Sequence, residues 1–99
     1  MKTILVMDPR DNVGNALEEI FKGDEAAYVI NNAEHSLLAV EDIPFAFKVA
    51  VVPIMAQSDI VKYGEKIGRA ARDIVPGECV HIHNIEGARG RGDSQRGGL

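Results

Sequence analysis

The chain has one cysteine, Cys79, and no tryptophan. A lone thiol forms no intrachain disulfide, which excludes the stapled scaffolds of small secreted domains. Aromatic residues make up only 5% of the 99 positions, so the core has to rest on Val, Ile, Leu, Ala and Met. No apolar run approaches the length of a membrane span, and Met1–Asp8 is too short a stretch for a signal peptide. These absences predict a cytoplasmic domain that makes no use of a membrane. An excess of positive charge is missing too, with a formal net charge of −4. Arg89, Arg91 and Arg96 against Asp93 give the tail from Gly87 a charge of +2, which leaves −6 on residues 1–86. An acidic body disfavours nucleic acid as a partner.

Hydrophobic residues make up 45% of the chain, enough for a folded domain. A length of 99 residues argues for one such domain. It buries roughly 60–68% of its unfolded surface, so the core is modest.

Ile4–Met7 reads as a short strand and Asp8–Asn12 as a turn. Val13, Ala16, Leu17, Ile20 and Phe21 then recur at helical spacing. Asp11 or Asn12 can cap them, and Lys22 and Gly23 suit a helix C-terminus, so one α-helix is expected near the N-terminus. Beyond Gly23 the pattern changes to short β-branched runs, at 28–30, 37–40, 48–52, 60–63, 66–70 and 79–85. Asn31-Asn32, Pro44, Pro53, Gly64-Glu65 and Pro76-Gly77 punctuate them. This spacing predicts a mainly β domain over residues 1–86, a small barrel or clip of antiparallel strands. It leaves no room for crossover helices, which argues against parallel pairing. Asp42-Ile43-Pro44 is faintly echoed by Asp73-Ile74-Val75-Pro76, as two similar corners would require. Residues 87–99 are rich in Gly and Arg and read as a flexible tail.

The stretch Cys79-Val80-His81-Ile82-His83-Asn84 carries the strongest chemical signal. As a strand it turns Val80 and Ile82 to the core and Cys79, His81 and His83 to a free face. The two imidazoles then stand roughly 6–7 Å apart. They can share a metal or act separately as acid, base or substrate contact. Cys79 is a candidate third donor, its soft sulfur suiting iron or zinc. The plainer alternative is a pair of surface histidines with ordinary hydrogen bonds. Lys48, on an apolar strand, either snorkels to solvent or contacts a carboxylate. Arg69 and Arg72 either clamp a carboxylate bidentately or form surface ion pairs with Glu65 or Asp73. His35 reads as a solvated surface residue and Tyr63 as a packing residue. Arg91-Gly92-Asp93 is a coincidence in a chain without a secretion signal. The Arg-Gly repeats lack the interleaved aromatics of an RNA-binding tail and are expected to order on a protein partner.

Several stretches together resemble the SAF-type small domain of the altronate and galactarate dehydratase family. They are Asp11-Asn12-Val13, Lys48-Val49-Ala50, Ile60–Glu65, Ile67–Ala70, Asp73-Ile74, Gly77-Glu78, Val80–Asn84 and Arg89–Asp93. The resemblance covers roughly residues 8 to 93. It implies a β-clip fold and a hydro-lyase that eliminates water from sugar acids, dependent on a divalent metal that is often iron. In this family the SAF domain is fused to a large catalytic domain or made as a separate small subunit. A related branch eliminates sulfite from sulfolactate. The expected reading is therefore a small subunit, inactive alone, that closes over the site of a large catalytic subunit. His81, His83 and Lys48 would act in catalysis, Arg72 and Asn84 in substrate binding, and His81 with His83 as metal ligands. A sulfolactate sulfo-lyase small subunit and a non-catalytic carbohydrate-binding or scaffolding module are the alternatives, and self-association into a homo-oligomer is left open. Two places depart from the family pattern: Ala46-Phe47-Lys48 stands where Gly-His-Lys is common, which puts Phe47 in place of a histidine, and Cys79 stands where histidine is frequent.

Overall fold

The structure is a computed structural model that describes residues 1–87. Nine strands run through them in the order β1 (Lys2–Leu5), β2 (Val13–Ala16), β3 (Glu25–Ile30), β4 (Ala33–Leu38), β5 (Lys48–Ala50), β6 (Asp59–Lys62), β7 (Glu65–Ala70), β8 (Cys79–Val80) and β9 (Ile85–Gly87). Six form one sheet in the order β4-β3-β1-β2-β5-β8, and β6-β7-β9 form a second. Because β9 runs through Gly87, the second sheet includes the first residue of the expected tail; the rest of that tail lies outside the described residues.

Two hairpins are closed by two-residue turns. Asn31 and Asn32, at φ 52° and 65°, join β3 to β4, and Tyr63 and Gly64, at 56° and 74°, join β6 to β7. Left-handed residues in succession give the primed turn whose twist matches a hairpin. The second turn therefore falls one residue earlier than the Gly64-Glu65 break read from the sequence.

Four further turns set the architecture. The amides of Asp24, Phe47, Ser58 and Glu78 donate to the carbonyls of Phe21, Pro44, Met55 and Val75. The third residue of each, Gly23, Ala46, Gln57 and Gly77, has a positive φ, between 70° and 91°. That is the signature of type II turns. Just ahead of them Ile20 bridges Ile43, and Ile54 bridges Ile74. Asp42 accepts from the Lys22 amide and Asp73 from the Ala56 amide, both at 2.8 Å. The echo between Asp42-Ile43-Pro44 and Asp73-Ile74-Val75-Pro76 is thus real at the level of structure. Each stretch forms half of a corner pair that clasps one hairpin.

The expected α-helix is absent; the described residues are mainly β, with no helix. Residues 13–16 form β2, paired with β1 on one side and β5 on the other. The helical spacing arose because β2 is buried on both faces. Val13 packs into the core with Ala50, Ile54, Ile60 and Ile74. Ala16 and Ile20 pack into the other core, with Ile4, Ile43 and Val49. Leu17 and Phe21, which completed the supposed apolar stripe, are 45% and 49% exposed. Gly14 holds the strand in place. A Cβ there would lie 2.6 Å from Ile4 Cγ2 and 2.7 Å from the Leu5 carbonyl oxygen. Asp11 and Asn12 cap no helix but staple β2 to the second sheet. Asp11 accepts from the Gly64 amide at 2.8 Å, and Asn12 from the Val61 amide at 2.8 Å.

The pairing is also not wholly antiparallel. β1 and β3 run parallel, with Lys2 opposite Ala26 and Thr3 opposite Ala27. A parallel pair needs a crossover of a dozen or more residues. Strand β2 and the Ile20 corner supply it in place of a helix.

Candidate active site

The site is built on the last corner and the segment after it. Pro76 and Gly77 occupy the two central positions of the Val75–Glu78 turn, the residues a type II turn favours. The turn buries Glu78 and starts β8. Glu78 Oε1 accepts from the Val75 amide at 3.1 Å, and Oε2 takes a short charge-assisted hydrogen bond from Arg72. Glu41, arriving from β4, accepts from the Cys79 amide at 2.7 Å.

Strand β8 is only Cys79–Val80; the expected strand to Ile85 breaks into a turn over residues 81–84. The cause is Asn84. Its side-chain oxygen accepts from the His81 amide at 2.9 Å, and its Nδ2 donates to the Cys79 carbonyl at 2.8 Å. Its own amide donates to the His81 carbonyl, closing the turn. Asn84 is 0% exposed, whereas Ile82, expected in the core, is 82% exposed at the turn's tip. An Asn that bonds its own neighbourhood competes with a sheet ladder, and here it wins. Cys79 faces the core at 7% exposure instead of a free face. Burial pushes its thiol pKa up, and the carboxylates of Glu41 and Glu78 add to the shift.

The turn delivers His83 to Glu41 and Glu78. One ligating atom from each of the three lies within 4.8 Å of the others. Two carboxylates and one imidazole make an oxygen-rich donor set of the kind that suits magnesium, manganese or ferrous iron. A carboxylate oxygen carries two lone pairs, so the hydrogen bonds to Arg72 and the backbone leave coordination capacity on each acid. The residues present fit a divalent cation. His81 is not in this group; its ring packs on Phe47 with centroids 4.6 Å apart. Phe47, the departure from Gly-His-Lys, thus sits directly against one of the paired histidines.

The five residues singled out from the sequence do not form a single cluster. His83, Arg72 and Asn84 converge on the last corner, with His81 beside it. Lys48 pairs with Val80 and with Asn15. Directly opposite partners share a face, so Lys48 shares the face of Val80 and lies across the β5–β8 ribbon from Val49 and Cys79. Arg69 and Arg72 both make ion pairs, with Glu86 at 3.7 Å and with Glu78. His35 is exposed and stacks on Tyr28. The sequence reading missed Glu41 and Glu78 as site residues. Pro76-Gly77 before an acid was a usable signal for Glu78, because the last residue of such a turn faces back to its first. Nothing local marks Glu41, which a chain reversal brings in.

Asn84→Ala should cost about 2–3 kcal/mol of stability, because it leaves the buried Cys79 carbonyl and the part-buried His81 amide without their partners. Urea unfolding measures it. A midpoint within error of the parent would remove Asn84 as the holder of the turn.

An all-β module with an open acid–imidazole cluster on one corner is the class of protein that fold and site define. A family model described as the altronate/galactarate dehydratase SAF domain matches residues 2–88, and the chain belongs to that family. It is 39% identical over 87 residues to altronate dehydratase of Bacillus subtilis, covering 87% of this chain and 16% of that protein. It is 30% identical over 88 residues to (2R)-sulfolactate sulfo-lyase subunit alpha of Chromohalobacter salexigens, covering 86% of this chain and 94% of that one. The corresponding subunit alpha of Paracoccus pantotrophus is 37% identical over 59 residues, 60% of this chain and 88% of its own. Among the described residues, no helix is long and apolar enough to cross a membrane.

Proposed function

We propose that the chain is the small, SAF-type subunit of a cytoplasmic hydroxy-acid lyase that eliminates water from a sugar acid such as altronate or galactarate. One observation carries the reading: Glu41, Glu78 and His83 converge on an open corner, held by the pinned 81–84 turn. His83 is exposed, so the cluster is half of a site and calls for a roof. A larger catalytic polypeptide supplies it. The relatives support this partner, since the chain covers only 16% of one and two carry the name subunit alpha.

β-Elimination from a hydroxy acid needs a base for the proton beside the carboxylate and an acid for the departing hydroxyl. His81 is the proton-transfer group, since an imidazole can both accept and donate a proton. Its backbone is fixed by Asn84 and its ring by Phe47. His83, with Glu41 and Glu78, would hold a divalent cation. When bound, that cation stabilises negative charge developing on the substrate. Arg72 orients Glu78 and, being half exposed, can reach a substrate carboxylate. Asn84 acts on substrate through the turn it fixes. Lys48 contributes positive charge from the adjoining face.

That the chain covers 94% of one sulfo-lyase subunit alpha favours a second reading, sulfite elimination from sulfolactate. Purification from the native cell, followed by metal analysis and assays on altronate, galactarate and (2R)-sulfolactate, decides between them. The proposal expects a large partner, a divalent metal and turnover of a sugar acid. Turnover of sulfolactate alone selects the second reading. Recovery without a large partner, and without turnover of any of the three, refutes both and leaves a binding or scaffolding module.

A further inference from the structure

A second polar surface lies where the two sheets meet, across the β5–β8 ribbon from Cys79. Asn12 bonds both the amide and the carbonyl of Val61, which locks β6 against the start of β2. The next residue, Lys62, places its Nζ 4.8 Å from the centroid of the Tyr63 ring. The Tyr63 hydroxyl lies 3.5 Å from Asn15 Oδ1. Asn15 is the direct cross-strand partner of Lys48. Lys48 and Lys62 are therefore neighbours at one seam, both half-buried.

Their charge balance is unusual. Among the described residues, Lys2, Arg10, Lys66, Arg69 and Arg72 each have a carboxylate partner; Lys22, Lys48 and Lys62 do not, and of these three Lys22 is exposed while Lys48 and Lys62 are half-buried. Acid is abundant in the domain, yet none neutralises this pair. Two half-buried ammonium groups side by side repel each other and lose hydration. The Lys48 pKa is lowered first by burial and then by the charge of Lys62. A bound anion relieves both costs.

We infer that Lys48 and Lys62, with the Tyr63 hydroxyl and the Asn15 amide at their side, form a binding site for the carboxylate of a small polyhydroxy acid. The choice of ligand rests on the hydroxy-acid reading above; the unneutralised cationic pair does not. Two ammonium groups supply the charge; Asn15 Nδ2 donates one hydrogen to the Ala46 carbonyl, which leaves its second hydrogen to donate to, and the Tyr63 oxygen to accept from, a neighbouring hydroxyl. Lys62 and Tyr63 thereby gain a role that packing alone does not explain.

The test is an NMR titration of the full chain, following lysine side-chain resonances with galactarate and, separately, inorganic phosphate. Galactarate should give saturable shifts at both lysines, and Lys62→Gln should weaken binding about tenfold or more. Should Lys62→Gln lose its amide dispersion, Lys62→Arg, which keeps the charge, must still bind. Absence of saturable shifts overturns the site, and an equal response to phosphate overturns its assignment to carboxylates. The titration reads no turnover. Binding with an inactive complex would remove only the lyase reading, and an active complex without binding here would remove only this inference.

Discussion

His83→Ala in the assembled complex should lower turnover by at least about 10²-fold while leaving stability almost unchanged. His83 is exposed on a turn whose shape depends on Asn84 and not on its own side chain. Surface substitutions of that kind stay within about ±0.5 kcal/mol. What the variant loses is the imidazole beside Glu41 and Glu78. As a ligand, His83 supports a cation that would supply several kcal/mol of charge stabilisation; in the other role, given above to His81, loss of a positioned proton-transfer group costs about 10²–10⁴ in rate. Excess divalent cation separates the two roles: it restores part of the activity if His83 is a ligand and none if it moves protons. His81→Ala should lower turnover comparably. It also removes the ring packed on Phe47, so about 0.5–1.5 kcal/mol of stability should go with it. Near-normal turnover in both variants would end the assignment of this corner as catalytic.

The mainly β character was legible because β-branched runs and turn residues alternate along the chain beyond Gly23. The helix error has a specific cause. Val13, Ala16 and Ile20 mark two different cores on either side of one strand and the corner that follows it. A strand buried on both faces loses its period of two, and the surviving spacing imitates a helix. Gly14 was the contrary signal, since glycine weakens a helix interior. The parallel β1–β3 pair was hidden because its crossover is a strand and a corner, for which the sequence has no local marker. At the site, His83 was visible as a chemical residue, but its partners were not. Glu41 reaches it through long-range pairing that no spacing encodes. The turn at residues 81–84 was misread because alternation of Val80 and Ile82 outweighed one asparagine. A single buried asparagine, with two side-chain bonds and one backbone bond to its neighbours, reversed the pattern.

Gly77→Ala should destabilise the domain by more than about 4 kcal/mol, the range in which single substitutions unfold marginal proteins. The four type II turns supply their own control. Gly23, Ala46, Gln57 and Gly77 occupy the same turn position, all at positive φ. Ala46 and Gln57 show that side chains are tolerated there, at the left-handed cost of about 1–2 kcal/mol. At Gly23 an added Cβ meets nothing within 4 Å, so Gly23→Ala should cost that strain alone. At Gly77 an added Cβ would stand 2.1 Å from the Leu38 carbonyl oxygen and 3.3 Å from Ala39 Cα. These are backbone atoms, so no rotamer change relieves the clash. Nor is Gly77 free to retreat: its amide donates to Ala50 and its carbonyl accepts from Val40. Relief requires parting the chain after β4 from the corner, and that separates Glu41 from Glu78. Urea unfolding of the two variants side by side measures the difference. Metal content and turnover of Gly77→Ala in the complex should fall together, even where enough folded protein survives to assay. Equal destabilisation by Gly23→Ala and Gly77→Ala would mean that the close approach of Leu38 is not what holds the corner shut.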